Sequence, residues 1–319
     1  MRRTIVSALA TLIAWSPGWA QPGPVQHIQV GPLDRTYVIE RSHPDQAADR
    51  LPIIVYLHGL GVLVSEGNPP PRFDIPFTAE TGMMPVLVVH PQGVDRRWDS
   101  VPGRIKTWQR LAGTDGEQVD DIAFLRTLID HLVAVENGDP TRVYVAGVSS
   151  GGYLVPRVAC EMGDRVAAVA DVIATARQAV FQDCNARPVP FALIVSTTDD
   201  TNPYAGAPGN ELTRLASAPD TAFFFARHDG CSMRTETPLP HLDGELSSTV
   251  SLTRFSECAG GAEVLFYRVD GSGHSVPSTA PIGPEGWDAS GRRNRDVDTA
   301  RLLWEFFRAH QLAAAPPPR

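Results

Sequence analysis

Short apolar runs and amphipathic stretches alternate along the chain between Gln21 and His310. Five runs are nearly continuous in β-branched and other apolar residues: Leu51 to His58, Pro85 to Val89, Arg142 to Ala146, Phe191 to Ser196 and Val264 to Val269. Such runs have no polar face, so they predict strands buried on both sides in a parallel sheet. The stretches between them change period. From Asp121 onward, Ile122, Leu125, Ile129 and Leu132 return at steps of three and four, which lines them up along one face of a helix. Asp120 is placed to cap that helix, and Asp139-Pro140 is expected to stop the chain before the next strand. Leu302, Leu303, Phe306 and Phe307 form a second stripe, predicting a closing helix. Strand and helix in alternation, with no linker and no internal repeat, predict one α/β domain over residues 21–312, a mostly parallel central sheet with helices on both faces.

Composition narrows the partners. The 319 residues are 43% hydrophobic and 20% charged, ordinary for a globular chain. The net charge is −8 and no stretch gathers Lys and Arg into a basic run, so nucleic acid is not an expected partner. Residues 1–20 read differently. Arg2 and Arg3 precede a mostly apolar run from Thr4 to Trp15, and the small residues Gly18 and Ala20 sit before Gln21. This is the pattern of a cleaved signal peptide, too short in its apolar part for the ~20 residues of a membrane span. The expected location is therefore secreted or periplasmic, without a stable membrane anchor. The Ala/Pro-rich residues 313–319 are expected to form a disordered tail. In an oxidising compartment Cys160, Cys184, Cys231 and Cys258 make two disulfides. Three pairings are open; Cys160 with Cys184 and Cys231 with Cys258 close the shortest loops. No C-x-x-C spacing or nearby His pair indicates a metal, and no cofactor is implied.

Gly147-Val148-Ser149-Ser150-Gly151 fits the pattern G-x-S-x-G. Three fixed small residues arise by chance in roughly one chain in ten of this length, at ~7% usage each, so the flanks carry the specificity. A strand leads in and a helical segment from Gly151 towards Met162 leads out. A sharp strand-to-helix turn of this kind raises a serine hydroxyl at the sheet's carboxyl edge. Pro156 lies just past the first turn of that segment and predicts a local kink.

In proteins with this elbow the acid and then the histidine follow the serine. Asp199 and Asp200 come directly after the run ending at Ser196, and spacing alone does not separate them. Gly271-Ser272-Gly273-His274-Ser275 follows the last apolar run, and its glycines suit a loop that brings an imidazole over the serine. His228 and His241 follow no comparable strand. Ser149, Asp199 and His274 are thus the expected catalytic set. Acyl transfer also needs donors for a tetrahedral oxyanion, and the amides of Leu60, after the His58-Gly59 turn, and of Ser150 are the candidates. His58 is read as a support for that turn. Trp98, Trp108 and Trp287 are candidates for an aromatic pocket.

With these residues in place the chain resembles the exported esterase family of α/β-hydrolases that includes polyhydroxybutyrate depolymerases and feruloyl esterases. The resemblance runs from about Leu51 to His310. It is carried by His58-Gly59, the segments Val119 to Leu125 and Asp139 to Tyr144, the elbow through Gly152, Asp199 with Pro203-Tyr204, Gly273-His274 with Pro277, and Trp304 to Phe307. It implies an α/β-hydrolase fold and ester hydrolysis by a Ser-His-Asp triad through an acyl-enzyme. It favours Asp199 over Asp200, and it places Cys231 and Cys258 where members often carry cysteines. Two departures stand out: Pro156, and Val195-Ser196 where the family commonly has a His-Gly pair. An acyltransferase on the same triad, a peptidase and a non-catalytic binding protein are the alternative readings.

Overall fold

The computed structural model describes residues 23–43, 49–64, 75–80, 84–101, 119–210, 212–242, 248–279 and 293–313. The expected leader, the tail beyond residue 313, Trp108 and Trp287 lie outside them.

Among the described residues ten strands form one sheet. They are β1 (Gln26–Val30), β2 (Leu33–Arg41), β3 (Leu51–Leu57), β4 (Leu87–Pro91), β5 (Gly138–Val148), β6 (Ala168–Val172), β7 (Phe191–Ser196), β8 (Met233–Pro238), β9 (Thr249–Ser256) and β10 (Val264–Asp270). Their spatial order is β1-β2-β4-β3-β5-β6-β7-β10-β9-β8. The six central strands, β4 to β10 in that order, run parallel, and antiparallel pairs close both edges. All five runs expected to be strands are strands, and they supply five of the six parallel members.

Alternation along each central strand feeds two cores. Ile53, Val55 and Leu57 of β3 and Val143 and Val145 of β5 face one side, while Ile54, Tyr56, Tyr144, Ala146 and Val148 face the other. Helices α1 (Phe77–Glu80) and α5 (Thr299–Arg308) cover the second side, and α2 (Asp121–Val135), α3 (Val155–Glu161) and α4 (Ala218–His228) cover the first. The expected stripes are the buried faces. Ile122, Leu125, Ile129 and Leu132 of α2 are buried, with Asp120 accepting the Ala123 amide as the cap. In α5, Leu303, Phe306 and Phe307 are buried, and Phe307 stacks on Tyr144 with centroids 5.0 Å apart. Side chains of this size contribute about 1.5–3 kcal/mol each on burial.

Two local expectations are refined. Asp139-Pro140 does not precede β5 but lies within it, in an irregularity between Gly138, opposite Leu51, and Val143, opposite Ile53. The Asp139 carboxylate accepts from the Thr141 amide and hydroxyl and from Arg142, so a local turn is inserted without ending the strand. At Pro156 the chain changes from a 3-10 turn over Gly152–Leu154 to the α-helix beginning at Val155. The proline thereby falls in the first α turn, where a missing donor costs little.

Candidate active site

The turn after β5 is built for one serine. Ser149 has φ +53°, a left-handed conformation that costs a non-glycine residue about 1–3 kcal/mol and turns its side chain out of the strand direction. The glycines around it are required by contact. A Cβ on Gly147 would stand 2.3 Å from the Gly151 carbonyl oxygen, and one on Gly151 would stand 2.1 Å from that of Leu57. One on Gly152 would stand 2.5 Å from Oδ1 of Asp171, in β6. The Ser149 amide donates to Val172 O at 3.0 Å, and the Tyr153 amide donates to Ser149 O at 3.2 Å. The elbow is thus pinned to β6 and to its own helix.

His274 reaches this serine from the loop after β10. Its Nε2 is 3.0 Å from Ser149 Oγ and its Nδ1 is 2.7 Å from Asp199 Oδ2. With Nδ1–H donated to the carboxylate, Nε2 is left to accept from the hydroxyl. Asp199 is buried and its second oxygen accepts the amides of Thr201 (2.9 Å) and Asn202 (2.8 Å). Asp200 is exposed, with Thr201 as its recorded partner at 3.4 Å. His228 pairs with Asp229 and His241 with Asp296. The structure therefore brings together Ser149, Asp199 and His274 and none of their competitors.

Hydroxyls of the acid loop hold the histidine loop in register. Thr198 Oγ1 accepts the Gly273 amide at 3.1 Å, and the buried Ser196 Oγ accepts that of Ser272 at 3.2 Å. Ser196 is one of the family departures, and here it ties β7 to the loop after β10. Asn202 and Tyr153 are further supports that spacing along the sequence did not single out. The Asn202 side chain donates to Ile173 O at 2.6 Å and accepts from the Tyr153 hydroxyl. Elbow, acid loop and the end of β6 thus meet at one amide.

The turn after β3 is held from below by His58. Its Nδ1 donates to Gly59 O at 2.7 Å, and Nε2 accepts from the Gly93 amide at 3.1 Å and from Gln92 Nε2 at 3.0 Å. Burial lowers its pKa to about 4, so the ring is neutral in the tautomer this pattern demands. Trp98 is buried, donates its indole N–H to His58 O at 2.9 Å and packs against the His58 ring. It supports the turn. The amides of Leu60 and Ser150 donate to no recorded acceptor among the described residues.

Two disulfides, Cys160–Cys184 and Cys231–Cys258, staple the periphery, the second joining the end of α4 to the end of β9. They are the two short-loop pairs. Among the described residues no group of three or more His, Cys, Asp or Glu is arranged for a metal, and no helix is long and apolar enough to cross a membrane.

A parallel sheet with the elbow at its carboxyl edge defines an α/β-hydrolase. No family model matches the chain. NocK of Nocardia uniformis subsp. tsuyamanensis, whose name assigns it provisionally to the esterases, is 25% identical over 275 residues, 82% of this chain and 77% of NocK. Feruloyl esterase B of Piromyces equi is 27% identical over 245 residues, covering 68% of this chain and 43% of that larger protein. Among solved structures, a thermostable esterase superposes with a TM-score of 0.54 at 12% identity, over 90% of this chain and 63% of its own. The acetyl xylan esterase of Aspergillus awamori gives 0.52 at 14% identity, over 83% and 98%. The chain thus has the α/β-hydrolase fold, and the two relatives similar to it in sequence carry esterase names.

Proposed function

We propose that the chain is an exported carboxylic-ester hydrolase with Ser149 as nucleophile, His274 as general base and acid, and Asp199 as the carboxylate that orients and stabilises the imidazolium. The observation that carries this reading is the unbroken hydrogen-bond chain from Ser149 Oγ through the His274 ring to Asp199, at 3.0 and 2.7 Å. Ser149 Oγ attacks the ester carbonyl carbon as its proton passes to His274 Nε2. The amides of Leu60 and Ser150 receive the oxyanion. Collapse of the tetrahedral adduct breaks the bond to the alcohol oxygen, which leaves with the proton from His274. Water then gives a proton to His274 and its oxygen to the acyl carbon, releasing the acid and restoring Ser149. The two disulfides support an oxidising destination. Hydroxyalkanoate and feruloyl esters are the two acyl classes to which the family resemblance points.

Ser149→Ala tests the reading. It removes one oxygen from a site whose fold is held elsewhere, so kcat on a 4-nitrophenyl ester should drop by about 10³-fold or more with the unfolding midpoint retained. A serine-directed phosphonate should label the parent at Ser149 and leave the variant unlabelled. Retention of most activity by Ser149→Ala sinks the assignment.

A further inference from the structure

Past β6 the chain crosses the carboxyl edge of the sheet beside the site. Ile173 O takes the Asn202 side chain, Ala174 packs against Gly152, and Arg177 follows three residues later. The Arg177 guanidinium lies over the ring of Tyr153, 5.1 Å from its centroid. Tyr153 stands one helical turn after Ser149, and its hydroxyl donates to the residue whose amide holds Asp199. One aromatic ring therefore separates this cation from both the elbow and the acid loop.

Among the described residues no carboxylate pairs directly with Arg177, and Asp99 acts on it only through space. Nε donates to Ser100 Oγ at 2.7 Å and Nη1 to Thr213 O at 3.1 Å, both neutral acceptors. Nη2 has no recorded acceptor, and no carboxylate lies within 4 Å of the guanidinium, among the described residues. Asp99, next to Ser100, is taken by Arg157 at 2.9 Å. Arg177 is half-buried, and a cation drawn out of water without an opposite charge is costly unless something supplies one. The unused N–H edge of a guanidinium matches the two oxygens of a carboxylate in a planar fork.

We propose that Arg177 recognises a carboxylate on the substrate, so that the preferred esters carry an acid group on one arm. The inference rests on the hydrolase reading above and specifies its substrate class. Such esters are the products of partial hydrolysis of diesters or polyesters, or half-esters of dicarboxylic acids.

The test compares matched esters. Mono-4-nitrophenyl glutarate, adipate and suberate are set against the uncharged valerate, hexanoate and octanoate, and 4-carboxyphenyl acetate against phenyl acetate. In at least one pair the charged ester should be favoured through KM. The charged-to-neutral ratio of kcat/KM should fall about tenfold or more in Arg177→Gln. It should also fall as salt is raised in the parent. A purely structural role would lower both members alike, and a ratio unchanged by the substitution in every pair overturns the proposal. Should Arg177→Gln fail to fold, Arg177→Lys, which keeps the charge without the fork, should give an intermediate ratio, and a salt-independent parent ratio overturns the idea. Should the parent hydrolyse none of the esters, the hydrolase reading fails, and binding of adipate itself decides about Arg177. Adipate raising the unfolding temperature of the parent but not of Arg177→Gln supports the carboxylate site; no rise, or an equal rise, overturns it.

Discussion

Asp171 sits on β6 with no exposed surface, its Oδ1 against Gly152 of the elbow, and neither carboxyl oxygen has a hydrogen-bond partner among the described residues. Burial without a donor or a cation leaves ionisation too costly, so its pKa is raised well above the usual carboxylate range. In the unfolded chain the same group loses its proton near the ordinary ~3.9. Over the interval between those two values the folded state binds one proton more than the unfolded state, so stability falls as pH rises. The slope is about 1.4 kcal/mol per pH unit, present until pH passes through the folded value. Asp171→Asn keeps the shape of the protonated acid and removes the titration. The variant should therefore be more stable than the parent, and its advantage should grow with pH above ~3.9, by up to about 1.4 kcal/mol per pH unit, until the folded value is passed. Urea unfolding at pH 5, 6 and 7 with the disulfides intact measures the difference, and every other titrating group cancels in it. Parallel parent and variant stabilities across that range would show that Asp171 is ionised or solvated, and would refute the reasoning.

His58 predicts the opposite pH dependence. Its folded pKa of about 4 lies below the unfolded value of ~6.5, so the stability it contributes above pH 6.5 should be lost as pH falls through 4, by about 3 kcal/mol; in His58→Asn the urea midpoint should fall less steeply over that window, and an equal slope in both proteins contradicts a neutral buried ring. Asn202 acts through Asp199 and not on the substrate. Asn202→Ala strands the Tyr153 hydroxyl and frees the acid loop, so kcat should fall about tenfold with KM within twofold, alongside a loss of about 1–3 kcal/mol in stability; a change confined to KM would contradict a positioning role.

The parallel centre of the sheet was legible because its strands are buried on both faces and so read as apolar runs. What was not legible follows from the same physics. β6 is the central strand that the apolar runs did not mark: it is the five-residue Ala-Val-Ala-Asp-Val, with small side chains and a carboxylate in the middle. It has room for little else, since Asp171 lies under Gly152 and its neighbours pack against the large side chains of the adjoining strands. β8 has every residue exposed and sits at the sheet's edge, where partner strands and not its own apolar content define it. α4 begins with Ala218-Pro219 behind a Ser217 cap and buries Ala218, Ala222 and Phe225, a stripe of mostly small residues that carries a weak periodic signal.

The site divides along a similar line. Ser149, Asp199 and His274 could be named because each follows a readable strand, and their order along the chain leaves few candidates. The groups that hold them are spread over loops with no period at all. Thr198 and Ser196 act on amides 75 and 76 residues away, and Asn202 acts on a hydroxyl 49 residues back. Sequence separations of that size become contacts only when the sheet sets the carboxyl ends of β5, β6, β7 and β10 side by side. The same juxtaposition gives Ser196, at the end of β7, a partner in the loop after β10. In this chain the position supplies an acceptor for the Ser272 amide, the Ser196 hydroxyl at 3.2 Å. Local pattern thus picks out the three groups that the structure sets in a row, while their alignment depends on acceptors whose partners the fold alone selects.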